Sequence, residues 1–187
     1  MKPLVFISIW AFVISCTKPK DFMDTFSFTN LKGQKTKLST PQKPRGFVFV
    51  FLLPDCPFSQ FYAMSVNQIQ SSYNSKGYLF YGIVPGNLYS LAEIDSFKSQ
   101  HNFIPELLID PNSKFTKYLK VTVVPTVVLT DSLGNILYKG KIDDQAMLPG
   151  QKKYRASKFY LLNALKSHSN NKPILTKQTQ AVGCFIE

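Results

Sequence analysis

Two apolar patterns alternate along the chain. Residues 47–53 (FVFVFLL) form an unbroken apolar run, β-branched and aromatic, which predicts a strand buried on both faces. Pro54-Asp55 ends the run. Pro57 stands where a helix can open, since the first helical position has no partner for its N–H. Phe58, Tyr62, Ser65, Ile69 and Tyr73 recur at helical spacing and predict that helix's buried stripe. Residues 78–84 (YLFYGIV) predict a second buried strand. Ser90 and Glu93 have the spacing of a capping box, and Leu91, Ile94 and Phe97 supply the stripe of the helix it opens. A strand at 107–109, a short helix marked by Phe115, Tyr118 and Leu119, and a strand-like run at 121–129 broken by Pro125 follow. Residues 131–135 (DSLGN) read as a hairpin turn and 136–138 as its return strand. Residues 156–165 predict a last helix with Phe159 and Leu162 inward, and short strands are expected at 26–28 and around 36–38. Right-handed crossovers on a parallel core make this an α/β fold. It has a central mixed sheet flanked by helices, one antiparallel edge, and a C-terminal β-hairpin plus helix.

The 187 residues suit one domain with a hydrophobic core, and a content of 44% hydrophobic residues excludes a chain disordered throughout. The formal charge of +11 comes from 22 Lys and Arg against 11 Asp and Glu. Only Arg45 and Arg155 are arginines, and no nucleic-acid motif is present, so nucleic acid is not an expected partner. A lysine-rich solvated surface accounts for the charge; attraction to anionic lipid head groups is the alternative.

The first residues have a pattern of their own. Lys2 precedes an apolar run at 3–14, shorter than the roughly 20 residues a membrane-spanning helix needs. The run ends in Val13-Ile14-Ser15-Cys16, which resembles the bacterial lipobox. That resemblance implies diacylation of Cys16 and cleavage after Ser15. Residues 1–15 are then a lipoprotein signal peptide, 16–25 a tether, 26–168 the folded domain and 169–187 a C-terminal tail. Two acyl chains suffice for stable anchoring. Thr17, where an Asp would retain a lipoprotein at the inner membrane, points to the outer membrane of the bacterial envelope. An ordinary signal peptide or a signal anchor is the other reading.

With Cys16 assigned to lipid, Cys56 and Cys184 remain. Disulfides persist in exported compartments, although spacing alone does not pair these two. Cys56 stands where a buried strand ends and a helix begins. The partial positive charge and unpaired N–H groups of a helix start stabilise a thiolate, which is the nucleophilic form. The segment Pro54-Asp55-Cys56-Pro57-Phe58-Ser59, with Val124-Pro125-Thr126 ahead of the hairpin, resembles the thioredoxin-like superfamily over roughly 26–167. The nearest group is the redoxin (AhpC/TSA-like) proteins with an Asp-Cys-Pro-x-Ser motif. Gly140-Lys141-Ile142-Asp143 and Gly183-Cys184 match two further segments of that group. The resemblance implies a thioredoxin-like fold, a cis Pro125 facing Cys56, and thiol–disulfide chemistry without a cofactor. Cys56 is the implied nucleophile and Cys184 a distant resolving cysteine. Pro125 shapes the substrate groove, and Asp55, Pro57, Ser59 and Thr126 support the site. Implied partners are exported protein thiols or disulfides, or a thioredoxin-type reductant.

The departures from well-understood relatives open alternatives. Ser59 stands where a thioredoxin has its second cysteine, so Cys56 cannot close a local disulfide. A peroxiredoxin has Thr three residues and Pro seven residues before its cysteine; here Leu53 and Phe49 stand there. A peroxide reductase is therefore an alternative that requires Arg45 or Arg155 close to Cys56. Copper-delivering relatives carry a second cysteine where Gln60 stands, so no metal is expected, and the isolated His101 and His168 are expected at the surface. Asp143 and Asp144 read as a solvated turn and Asp55 as a capping or solvated residue. Ser59 either donates to the thiolate or fills the first turn. A non-catalytic binding module stapled by Cys56 and Cys184 is the third reading.

Overall fold

The computed structural model describes residues 25–38, 43–148 and 151–186. The expected signal peptide, Cys16 and the tether up to residue 24 lie outside them.

The expected buried strand is β3 (Gly46–Phe51), enclosed along its whole length. Its side chains alternate between two cores. Val48 and Val50 face one cluster, and Phe47, Phe49 and Phe51 face the other. It belongs to a seven-stranded sheet with β1 (Phe28–Asn30), β2 (Lys35–Thr36), β4 (Tyr78–Pro85), β5 (Glu106–Asp110), β7 (Thr126–Asp131) and β8 (Ile136–Gly140). The order is β2-β1-β5-β4-β3-β7-β8. β3, β4 and β5 run parallel, and every other pair is antiparallel. One antiparallel edge was the expectation; the sheet has two, because β1 and β2 cover the side of β5 that would otherwise be open. The expected hairpin turn is present, with the Asp131 carboxylate accepting the N–H groups of Leu133 and Asn135.

α1 (Pro57–Tyr73) follows β3, α2 (Leu91–Gln100) follows β4, α3 (Lys114–Tyr118) follows β5, and α4 (Tyr160–Ser169) comes after the hairpin. Buried residues of α1, α2 and α4 share the cluster of Val48 and Val50, while Phe115 of α3 sits among the phenylalanines on the other face. The capping box of α2 is complete, with Ser90 and Glu93 serving each other's backbone.

Two helix faces differ from the sequence expectation. The buried line of α1 is Ser59, Tyr62, Ala63, Val66 and Tyr73. Phe58, Ser65 and Ile69 are only half-buried. The small Ser59 and Ala63 lie on the line that faces the sheet, where α1 packs against β4 and Ser59 meets Leu53 just past β3, and the larger side chains flank that line. α4 begins at Tyr160, four residues later than expected, because Asp144 holds the N–H groups of Ser157 and Lys158 outside the helix. Its buried residues are Leu161, Ala164 and Leu165; Phe159 is exposed and Leu162 half-buried.

Two small pairings were not foreseen. β9 (Ala146–Leu148) pairs with β10 (Gln151–Lys152), and β11 (Cys184–Phe185) pairs with β6 (Val123–Val124). The second brings the tail back onto the domain.

Candidate functional site

Leu52 and Leu53 carry the chain off the end of β3, and Cys56 is the N-cap of α1. Its N–H bonds the Leu53 carbonyl at 3.1 Å, and its own carbonyl accepts the Gln60 N–H at 3.1 Å. No side chain caps this helix and no acidic residue lies in its first turn. The positive end of α1 is thus left to the sulfur. Pro57 occupies the first helical position, as expected. Ser59 is buried, and its hydroxyl accepts the Leu53 N–H at 3.3 Å. Of the two roles open in the sequence, the structure gives it the first-turn one, tying the strand end to the helix start.

Opposite stands the broken strand. The Val124–Pro125 bond is cis. The Thr126 hydroxyl donates to the Val123 carbonyl at 2.5 Å, closing the break between β6 and β7. The Val124 carbonyl oxygen lies 3.6 Å from the Cys56 sulfur. The cis bond is as the resemblance implies, and it is the Val124 carbonyl of this step that stands beside Cys56.

Cys184 arrives from a distance of 128 residues and is joined to Cys56 in a disulfide, with the two Cα atoms 6.1 Å apart. Cys56 is 1% exposed and Cys184 half-buried. Cys184 pairs with Val124 and Phe185 with Val123, and the Ile186 N–H bonds the Thr122 carbonyl at 3.0 Å. Further back, Thr179 fixes the tail to β8. Its N–H donates to the Lys139 carbonyl, and its hydroxyl accepts the Lys141 N–H at 2.8 Å.

The disulfide lines an open groove of about 420 Å³ with Leu53, Asp55, Gly86, Leu88, Tyr89 and Phe185 among its walls. Leu88 is 68% and Phe185 78% exposed, giving the rim an apolar character. Asp55 accepts a 2.5 Å hydrogen bond from the Tyr89 hydroxyl across the groove. Neither arginine lines it. Arg45 precedes β3, about 20 Å of strand away from Cys56, and donates to His168 and Asn171. Arg155 lies over the exposed Tyr154 ring. Among the described residues no three His, Cys, Asp or Glu side chains come together as a metal site.

Three expectations need correction. Asp143 and Asp144 are not a solvated turn; both are buried. Asp143 accepts the Tyr62 hydroxyl at 2.6 Å and the Gln145 N–H at 2.8 Å. Asp144 pairs with Lys153 and accepts the Ser157 hydroxyl, and these partners hold its carboxyl well below the usual carboxylate range. His168 is not a free surface residue: it is half-buried, 2.8 Å from the Tyr78 hydroxyl. Burial and then the Arg45 charge lower its pKa. His101 is likewise half-buried, at the C-terminal end of α2 against Phe97.

Sequence reasoning passed over Tyr62, Tyr89 and Thr179. Tyr62 was visible only as an apolar stripe position, whereas its hydroxyl also accepts the Ala146 N–H at 2.9 Å. Tyr89 and Thr179 lie in segments without periodicity, and nothing local marks them.

No family model and no curated protein matches the sequence. Solved structures do match the fold. A hypothetical protein from Sinorhizobium meliloti has a TM-score of 0.76 at 19% identity over 86% of this chain and 89% of its own. An uncharacterised conserved protein from Geobacillus kaustophilus has 0.73 at 20%, over 87% of each chain. A secreted disulfide oxidoreductase from Mycobacterium tuberculosis has 0.53 at 19%, over 78% of this chain and 95% of its own. The fold is thioredoxin-like.

Proposed function

We propose that this chain is a thiol–disulfide oxidoreductase that cycles between a Cys56–Cys184 disulfide and the two thiols, with Cys56 as nucleophile and Cys184 as resolving cysteine. One observation carries the reading: a buried cysteine at an uncapped helix start is paired with a tail cysteine at the mouth of an open groove. Thioredoxin-fold neighbours described as disulfide oxidoreductases support it. Pro125 and Thr126 would set the substrate path, and Asp55 would sit at its rim. The peroxide-reductase alternative loses its main support, because neither arginine of the chain stands at the groove.

The lipobox residues before Cys16 support attachment to the bacterial envelope through lipid on that cysteine, and Thr17 supports the outer membrane. The partners would then be exported protein thiols or disulfides, with a thioredoxin-type dithiol as electron donor.

The test is a thiol-trapping titration across graded redox buffers, with Cys56 and Cys184 mapped by mass spectrometry. Reduction between about −120 and −270 mV, the span of thioredoxin-fold oxidoreductases, is expected. A bond that survives below about −300 mV would make the pair a structural staple and favour the binding-module reading. In the same assay Cys184→Ser should accumulate a mixed disulfide on Cys56, and Cys56→Ser should form none.

A further inference from the structure

The tail does more than deliver Cys184. It lies as a strand on β6, taking backbone groups that no other strand among the described residues pairs. Once the disulfide opens, this end is held by a two-residue ladder, the Ile186–Thr122 hydrogen bond and the packing of the half-buried Cys184 and Ile186 on the phenylalanine cluster. So short a pairing is marginal by itself. Thr179 keeps separate hydrogen bonds to β8, so release is confined to the residues after it. What it uncovers is a free strand edge beside Cys56. Such an edge binds an extended polypeptide by strand addition.

From this we infer that β6 is the docking strand for the partner, and that it selects a partner cysteine preceded directly by glycine. The inference rests on the oxidoreductase reading and names its substrate class. A Cβ at Gly183 would fall 1.8 Å from the Val124 carbonyl oxygen, 2.7 Å from its carbon and 3.1 Å from Pro125 Cδ. The two nearest of these are backbone atoms, which cannot swing aside as the end of a flexible side chain would. A partner cysteine that replaces Cys184 on β6 approaches the Cys56 sulfur along the same path, so the residue before it meets the same wall. The residue after it corresponds to Phe185, which is open to solvent beside the exposed Leu88 and so is free to be large and apolar. The occupant is an extended segment containing Gly-Cys, for which Val182-Gly183-Cys184-Phe185 is the internal copy.

The exchange balances. The Cys56 thiolate attacks the Gly-Cys sulfur of the partner's disulfide; the Cys56–partner bond forms, the partner's S–S bond breaks, and its other sulfur leaves as thiolate. The Cys184 thiolate then attacks the Cys56 sulfur, the Cys56–Cys184 bond forms, and the partner's cysteine leaves as a second thiolate. Two electrons pass from the two thiols of this chain to the partner's disulfide, and the two thiol protons end on the partner's sulfurs.

The test uses the full chain carrying Cys16→Ser and Cys184→Ser, which leaves Cys56 as its only thiol. The probes are peptides Val-Gly-Cys-Phe, Val-Ala-Cys-Phe and Val-Val-Cys-Phe, each a mixed disulfide with thionitrobenzoate. Formation of the Cys56–peptide disulfide is followed by mass spectrometry. The glycine peptide should react about tenfold faster than the alanine peptide or more, and the valine peptide slowest. Equal rates for glycine and alanine, with Cys56 reactive, overturn the docking inference alone. If Cys56 reacts with no peptide and not with free dithiobis(nitrobenzoate), the oxidoreductase reading falls instead. A second measurement needs no peptide. Gly183→Ala in the otherwise unaltered chain should shift the Cys56–Cys184 equilibrium with dithiothreitol about tenfold toward the thiols. An unchanged equilibrium overturns the steric argument.

Discussion

Tyr62 and the neighbouring acids Asp143 and Asp144 hold the segment after the hairpin in place. The Tyr62 hydroxyl donates to Asp143 and accepts from Ala146, and burial followed by the Asp143 hydrogen bond raises its phenol well above the usual range. Tyr62→Phe leaves a buried carboxylate and a buried N–H short of a partner each. A loss of about 1–3 kcal/mol is expected, read from urea unfolding midpoints. Asp144 makes a pH prediction. Its folded carboxyl is held low by Lys153, then Ser157 and the backbone around it. A depressed folded pKa gives stability that is present above the unfolded value, about 3.9, and lost as pH falls through the folded value. Wild type should therefore be more stable than Asp144→Asn at pH 7, and the gap should close progressively below about pH 4. Thermal melts across that range decide it; a constant gap would remove the carboxylate from the account. Burial of both acids was not legible in the chain. A pair of aspartates after a hairpin reads as solvated until distant donors such as Tyr62, Ser157 and Lys158 are brought to them.

At the scale of elements, hydrophobic pattern carried most of the information. The unbroken run around β3, the proline at the start of α1 and the capping box of α2 each depend on neighbours within a few residues, and each formed where the pattern placed it. The inward faces of α1 and α4 were less legible, since a stripe of large side chains does not say how closely a helix approaches its sheet. Ser59 and Ala63 lie on the buried face of α1 because close approach to the sheet favours small residues there. α3 shows how five residues anchor a whole face. The Phe115 ring meets those of Phe26, Phe28, Phe49 and Phe51 at centroid distances of 4.8–5.9 Å. Phe115→Ala should cost about 3–5 kcal/mol in denaturant unfolding. Substitution of Tyr118, exposed on the same helix with its ring against Phe26, should cost less, about 0.5–1.5 kcal/mol.

For the whole molecule the decisive contact is the return of the tail. A bond closing a loop of 128 residues limits the unfolded chain by about 5 kcal/mol in the chain-entropy account. Reduction should lower unfolding stability by no more than about that amount and leave the domain folded. Hydrogen exchange should then rise at 180–186, while β3, β4 and the segment around Thr179 stay protected. Uniform loss of protection across the sheet would mean that the disulfide holds the fold together rather than gating the groove.

The sequence by itself determined the order of strands and helices, the helix start that presents Cys56, the hairpin after Pro125 and the thioredoxin-like class. The first three arise from periodicity and turn chemistry among near neighbours; the thioredoxin-like class was legible only through the resemblance carried by the segments around Cys56 and Pro125. Only the tertiary structure decided that Cys184 reaches Cys56, that Gly183 must pass the Val124 carbonyl without a side chain, and that the arginines stand away from the groove. The physical reason is that a contact across 128 residues leaves no local pattern. It depends on which backbone groups the rest of the fold leaves unpaired, and here the break at Pro125 leaves β6 for the tail to find.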